Sequence, residues 1–140
     1  MKEQKIQREK IVIDATEGVV GRVASYAAKQ ALRGKEVIIV NCKHAVLTGR
    51  KRSVIEEYQA ARLRGGSSMK GPFYPKQPQR VMKRTIKGMV PYKQHRGNTA
   101  LDNVMCYDAL PAEYEKADKI SLARPLKVKA IKLFELSREI

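Results

Sequence analysis

Apolar positions along the chain fall into short, distinct patterns. Ile11-Val12-Ile13 is an apolar run closed by Asp14, which predicts a first strand. A turn at Gly18-Val19-Val20-Gly21 leads into a helical pattern, with Val20, Val23/Ala24, Ala27/Ala28 and Ala31/Leu32 on one stripe. Arg22, Ser25, Lys29 and Gln30 fall elsewhere on that helix, and Arg33-Gly34 forms a C-terminal stop. Val37-Ile38-Ile39-Val40 is apolar without alternation, as in a strand covered on both faces. Strand, helix and buried strand in this order predict a βαβ unit, with parallel strands and a right-handed crossover.

Further along, a turn is expected at Leu47-Thr48-Gly49. Ser53-Val54-Ile55-Glu56 then has the form of a capping box opening a second helix, continued by Val54, Tyr58 and Ala61. From Arg64 to Pro78 the pattern stops, interrupted by Gly65, Gly66, Gly71, Pro72 and Pro75. Pro78 suits the first turn of a third helix, where its missing N–H costs little. Val81, Met82, Thr85, Ile86 and Met89 make its apolar stripe, while Arg80, Lys83, Arg84 and Lys87 gather on the opposite face. Gly88 and Pro91 end that helix, and Lys93 to Asn98 reads as a basic loop. Val104 to Tyr107 predicts another buried strand. Pro111 to Tyr114 opens an acid-balanced segment, Val128 to Phe134 fits strand or helix, and Glu135 to Glu139 fits a closing helical turn. There is no internal repeat.

A chain of 140 residues that is 43% hydrophobic can bury a real core, and one domain over residues 1–140 is expected. Charge changes the picture. The net charge is +15, and the 44 residues between Glu57 and Asp102 contain no acid but ten of the basic residues. Ordinary solvated faces interleave both signs, so the surplus points to an anionic polymer or surface more than to solubility. The N-terminal segment has no apolar core of a secretory signal, and no apolar run reaches the roughly 18 residues of a membrane span. Cys42 and Cys106 make neither a disulfide framework nor close-spaced metal-ligand pairs. A soluble, intracellular, reduced chain without cofactor or metal is expected.

Candidate chemistry narrows the choice. The Gly18–Gly21 turn can be read as a phosphate-binding loop, with Asp14 as a ribose or metal ligand, but the dinucleotide and P-loop patterns are both missing. A small nucleotide-binding α/β enzyme is therefore the alternative class. His44 and His95 have no ligand or carboxylate neighbours in sequence, and Ser67-Ser68 lack a nucleophile elbow. Both cysteines read as small buried hydrophobes. The basic third helix suits the repeated phosphates of a polynucleotide, and the 64–78 arm can follow an irregular groove. Phe73, Tyr74 and Tyr92 lie among the cations, either stacking on unpaired bases or anchoring loops to the core. No DNA-binding motif is present, so RNA is favoured. The helix also resembles a basic interfacial helix, but it is short and its apolar face carries no Trp or Phe.

These residues resemble a known family. Gly18-Val-Val-Gly21-Arg22-Val-Ala24-Ser25 after a strand, Leu32-Arg33-Gly34-Lys35, Val37 to Asn41, Leu47-Thr48-Gly49-Arg50-Lys51, and Arg80-Val81 with Lys87-Gly88-Met89-Val90-Pro91 follow in order. Together they are similar to the universal large-subunit ribosomal protein thirteen family, over most of residues 10–107. The Pro/Gly-rich 64–78 segment looks like the archaeal and eukaryotic branch, and the lack of a long C-terminal extension points to an archaeal source. The resemblance implies a three-layer α/β/α sandwich with a mainly parallel four-stranded sheet. It also implies a non-enzymatic, early-assembling component of the cytoplasmic large ribosomal subunit, bound to its RNA and neighbouring proteins, with no membrane or small-molecule partner. Carried onto this chain, the expected RNA contacts are Arg50, Lys51, Arg52, Arg62, Arg64, Lys70, Lys76, Arg80, Lys83, Arg84, Lys87, Lys93, His95 and Arg96.

Overall fold

The computed structural model describes residues 8–64 and 74–140. Strand β1 (Lys10–Asp14), helix α1 (Val20–Leu32) and strand β2 (Glu36–Val40) form the expected βαβ unit, with Ile13 opposite Ile39 in parallel register. Strand β4 (Val104–Cys106) adds beside β2 and β5 (Lys119–Ser121) beside β1. The result is a four-stranded parallel sheet ordered β4-β2-β1-β5.

Side chains alternate through this sheet, because successive Cβ atoms point to opposite faces. Ile13, Val37, Ile39 and Val104 enter the main core with α1 and with α3 (Pro78–Met89). Val12, Ile38 and Val40 point the other way, where Tyr107, Leu110, Tyr114 and Ala117 cover them. That second layer is thin: it is the chain after β4, with a single 3-10 turn at Ala112–Tyr114. α1 meets the sheet, α3 and α4 (His95–Asp102) through Val23, Ala24, Ala27, Ala28 and Ala31, all buried. A face made mostly of alanine lets three neighbours approach closely, since little side chain stands between the backbones.

A second, two-stranded sheet pairs β3 (Val46–Thr48) with β6 (Ala130–Lys132) in antiparallel fashion, Leu47 opposite Ile131. Leu47-Thr48, expected as a turn, is therefore strand. Its partner lies more than eighty residues downstream, and three-residue strands are too short to show a period. Helix α5 (Leu133–Glu139) follows β6 and buries Leu133 and Leu136. The ambiguous 128–134 stretch thus resolves into a strand running directly into a helix.

Four further expectations change. Helix α2 (Lys51–Leu63) begins before Ser53, which is its third residue, and no side chain caps it. The cause is Gly49, whose φ of 133° turns the chain straight out of β3 and starts the helix at Lys51. The Lys93–Asn98 stretch, expected as a loop, enters α4 at His95. β4 is an edge strand rather than a fully buried one, with Met105 45% exposed. Cys42 is buried as expected, whereas Cys106 is half-buried beside it. A hydrogen bond with Cys106, together with burial, pushes the Cys42 thiol far above its ordinary range.

A candidate nucleic-acid interface

The basic face of α3 is held from three directions. Val81, Met82 and Ile86 on its inner side are buried, so the helix covers the sheet. That burial removes the apolar face an interfacial membrane helix would need. No helix among the described residues is long and apolar enough to cross a membrane. Pro78 occupies the first turn as expected, and the Gln79 N–H donates to Asp108 Oδ1 at 2.8 Å. Asp108 thereby satisfies one of the open N–H groups at the start of α3 and places a negative charge at the positive end of its dipole. This acid stands 29 residues away in sequence, where no local motif could reveal it.

On the outer side, Arg80, Lys83, Arg84 and Lys87 line one shallow groove of about 270 Å³, closed by Pro75 and Leu101. The spacing prediction that these four share a face therefore holds. They are not equivalent. Lys83 is half-buried, and its ammonium donates to the Val104 carbonyl at 2.5 Å, fastening α3 to the edge strand. The Arg84 guanidinium lies 4.2 Å from the Tyr74 ring centre, and the Lys87 ammonium 4.9 Å from that of Tyr92. Cation–π contacts of this kind hold flexible heads in place while leaving their charge intact.

Tyr74 sits between α2 and α3, in a hollow of about 230 Å³ shared with Tyr58, Pro75, Val81 and Thr85. It anchors the chain entering α3. Burial raises the Tyr58 phenol, which stays protonated at neutral pH. Tyr92 is 43% exposed and keeps ring surface open to solvent. Lys76 is exposed just ahead of α3. Lys70 and Phe73 lie outside the described residues.

At the far end of α3 the chain turns at Pro91 and presents Lys93, His95 and Arg96, all exposed. Gly97 makes this geometry possible: a Cβ there would stand 2.0 Å from the Pro91 carbonyl oxygen, so only glycine lets α4 start against that turn. The signal is present in sequence as Gly97, but its partner is not.

α2 carries the remaining candidates at its two ends, roughly 20 Å apart at 1.5 Å per residue. Arg50 is the N-cap and Lys51 and Arg52 begin the helix, with no acid in the first turn. Cations at an uncapped N-terminus oppose the helix dipole, an arrangement that an anion placed there would relieve. Arg52 pairs with Glu56 at 2.9 Å, but both are well exposed, at 91% and 62%. Such a pair is worth only about 0.3–0.5 kcal/mol and does not hold the arginine. Arg62 and Arg64 are exposed at the other end, where the chain leads toward α3.

The enzymatic alternative finds no geometry. The Gly18 N–H donates to Ala15 O at 3.0 Å and its carbonyl accepts from the Val46 N–H at 2.9 Å, so this turn joins β1 to β3. Asp14 accepts from the Thr16 N–H and hydroxyl and from the Asn41 amide. Burial alone would raise its carboxyl, but these bonds, with Lys119 nearby, hold it below the usual range. His44 packs edge-on against Phe134, ring centres 6.1 Å apart. Among the described residues no three His, Cys, Asp or Glu side chains gather as a metal site requires.

What the fold and this surface define is a class: a small, strongly basic α/β protein whose surface chemistry is ordered cations beside a parallel sheet. The family follows from comparison with known proteins. Residues 8–113 match the family described as Ribosomal protein L13. A large ribosomal subunit protein uL13 from Methanococcoides burtonii is 43% identical over 111 residues, covering 79% of each chain. Its counterpart from Natronomonas pharaonis is 41% identical over 133 residues, 93% of this chain and 90% of the relative. That from Thermoplasma volcanium is 42% identical over 132 residues, 92% and 96% of the two chains. The chain belongs to the ribosomal protein L13 family, on its archaeal-type branch, and that family is one of structural ribosomal proteins rather than enzymes.

Proposed function

We propose that this chain is a structural component of the cytoplasmic large ribosomal subunit that binds large-subunit ribosomal RNA early in assembly. Neighbouring large-subunit proteins are its other partners, and it takes no small-molecule substrate. The observation that carries the reading is the α3 groove, where Arg80, Arg84 and Lys87 stand on a helix whose other face is locked into the core. Prepositioned cations lose little freedom on meeting phosphates, and neutralising phosphates releases counterions, so binding falls steeply with salt. Lys76 leads into this groove. Lys93, His95 and Arg96 extend it past Pro91, and Arg50, Lys51 and Arg52, with Arg62, Arg64 and Lys70, add contacts along α2 and the 64–78 arm of a single domain.

The test is binding to purified large-subunit ribosomal RNA, with transfer RNA as competitor, across a salt series. Replacing Arg80, Arg84 and Lys87 by Ala, with Lys83 kept for its bond to Val104, is expected to lower the salt slope by about 2–3, at roughly 0.7–0.9 per phosphate contact. The circular dichroism spectrum should not change. An unchanged slope, or equal affinity for transfer RNA, would reject the reading.

A further inference from the structure

The outer face of α1 carries Arg22, Tyr26, Lys29 and Arg33 at i, i+4, i+7 and i+11. At about 100° per residue these four form one stripe roughly 16 Å long, in which the three cations are exposed while Tyr26 is half-buried, with part of its ring against the main core. The chain just after β5 runs beside it. Leu122 and Arg124 there, with Arg22, Ser25, Tyr26 and Lys29 of α1, enclose a groove of about 400 Å³. Arg22, Lys29, Arg33 and Arg124 are all exposed, and among the described residues none has a side-chain hydrogen bond or ion pair. Glu17, which borders the adjoining hollow with Arg124, is already paired with Lys132 at 3.1 Å.

The position of this groove matters as much as its charge. It lies where the chain leaves β5, one edge of the sheet, whereas the α3 surface is fastened to β4, the other edge. We propose that the α1 groove is a second RNA-binding surface. It takes a single-stranded segment whose phosphates meet Arg22, Lys29, Arg33 and Arg124 and whose unpaired base lies on Tyr26. The protein thus ties two separate RNA segments together. An acidic peptide would gain from the cations but not from an aromatic ring set among them, whereas a polynucleotide gains from both. The inference rests on the ribosomal RNA reading above, and its test separates the two.

The experiment compares full-length wild type with two variants on purified large-subunit ribosomal RNA, reading the salt slope and backbone protection from hydroxyl radicals. One variant carries Arg22→Ala, Lys29→Ala, Arg33→Ala and Arg124→Ala; the other is the triple α3 variant. All four positions, three lining the groove and Arg33 at the end of the α1 stripe, are exposed, so thermal melting should match wild type. The quadruple variant is expected to lower the slope by about 3. It should also lose a set of protected nucleotides distinct from the set lost in the α3 variant. An unchanged slope and footprint would overturn the second surface while leaving the first intact. So would loss of only the α3 set, or retained RNA binding with lost binding to a neighbouring large-subunit protein. Absence of binding by wild type would reject both readings.

Discussion

α2 and α3 both present basic residues, α2 with two glutamates among them and α3 with none, and they stand in opposite relations to the core. α3 buries Pro78, Val81, Met82 and Ile86, is capped by Asp108, and is fastened through Lys83 to Val104. α2 buries no residue at all, has no side-chain cap, and touches the body through half-buried Val54, Ile55 and Tyr58 and a bond from Gln59 Nε2 to the Glu139 carbonyl. A cation is a precise contact only if its helix is held. Basic side chains therefore form a fixed groove on α3 and an adaptable flank on α2.

Stability should show the contrast most strongly. Ile86→Ala in α3 leaves a cavity at a fully buried site and is expected to cost about 3 kcal/mol, whereas Val54→Ala in α2 should cost under about 1 kcal/mol. Urea denaturation of the two variants measures this. Equal shifts in midpoint would mean that α2 is packed as firmly as α3.

Capping offers a smaller and sharper contrast. Asp108→Ala removes the bond to Gln79 and should destabilise by about 1 kcal/mol. Arg50→Asp does the reverse, supplying α2 with an acidic N-cap and a gain of about 0.5–1 kcal/mol, while weakening RNA binding. A variant that is more stable but binds RNA less well would mark this helix start as built for an anion. If affinity held as stability rose, Arg50 would have no place in the interface.

The weakest effect lies away from both helices. Asp14 has a folded pKa below its ordinary value of 3.8, so its stabilisation is complete above that value. It fades as pH falls through the lowered folded pKa. Asp14→Asn removes this dependence, so the stability gap between wild type and variant should shrink between pH 5 and pH 2. Thermal melts across that range decide it, and a constant gap would mean that the bonds from Thr16 and Asn41 do not favour the ionised form.

Much of this molecule is legible in its amino-acid sequence. β1 and β2 are unbroken apolar runs, as strands covered on both faces require, and α1 and α3 show the 3.6-residue period of one covered helical face; such patterns need no knowledge of a partner. The gathering of Arg80, Lys83, Arg84 and Lys87 follows from helix geometry alone. What the sequence could not state is what those side chains meet. Lys83 reads like its three neighbours, yet its ammonium is spent on Val104 O. Ser53 reads as a cap, yet Gly49 starts the helix two residues earlier. The pairing of β3 with β6, the cap from Asp108 and the fit of Gly97 against Pro91 all join partners by tertiary contact. The α1 groove is hidden for the same reason: its cations alternate with core alanines in sequence, and its far wall comes from residues 122–124. Local periodicity determined which elements form and where the charge lies. Only the tertiary structure decided which cations are spent within the fold, which stay open to a partner, and that they face outward along two opposite edges of one sheet.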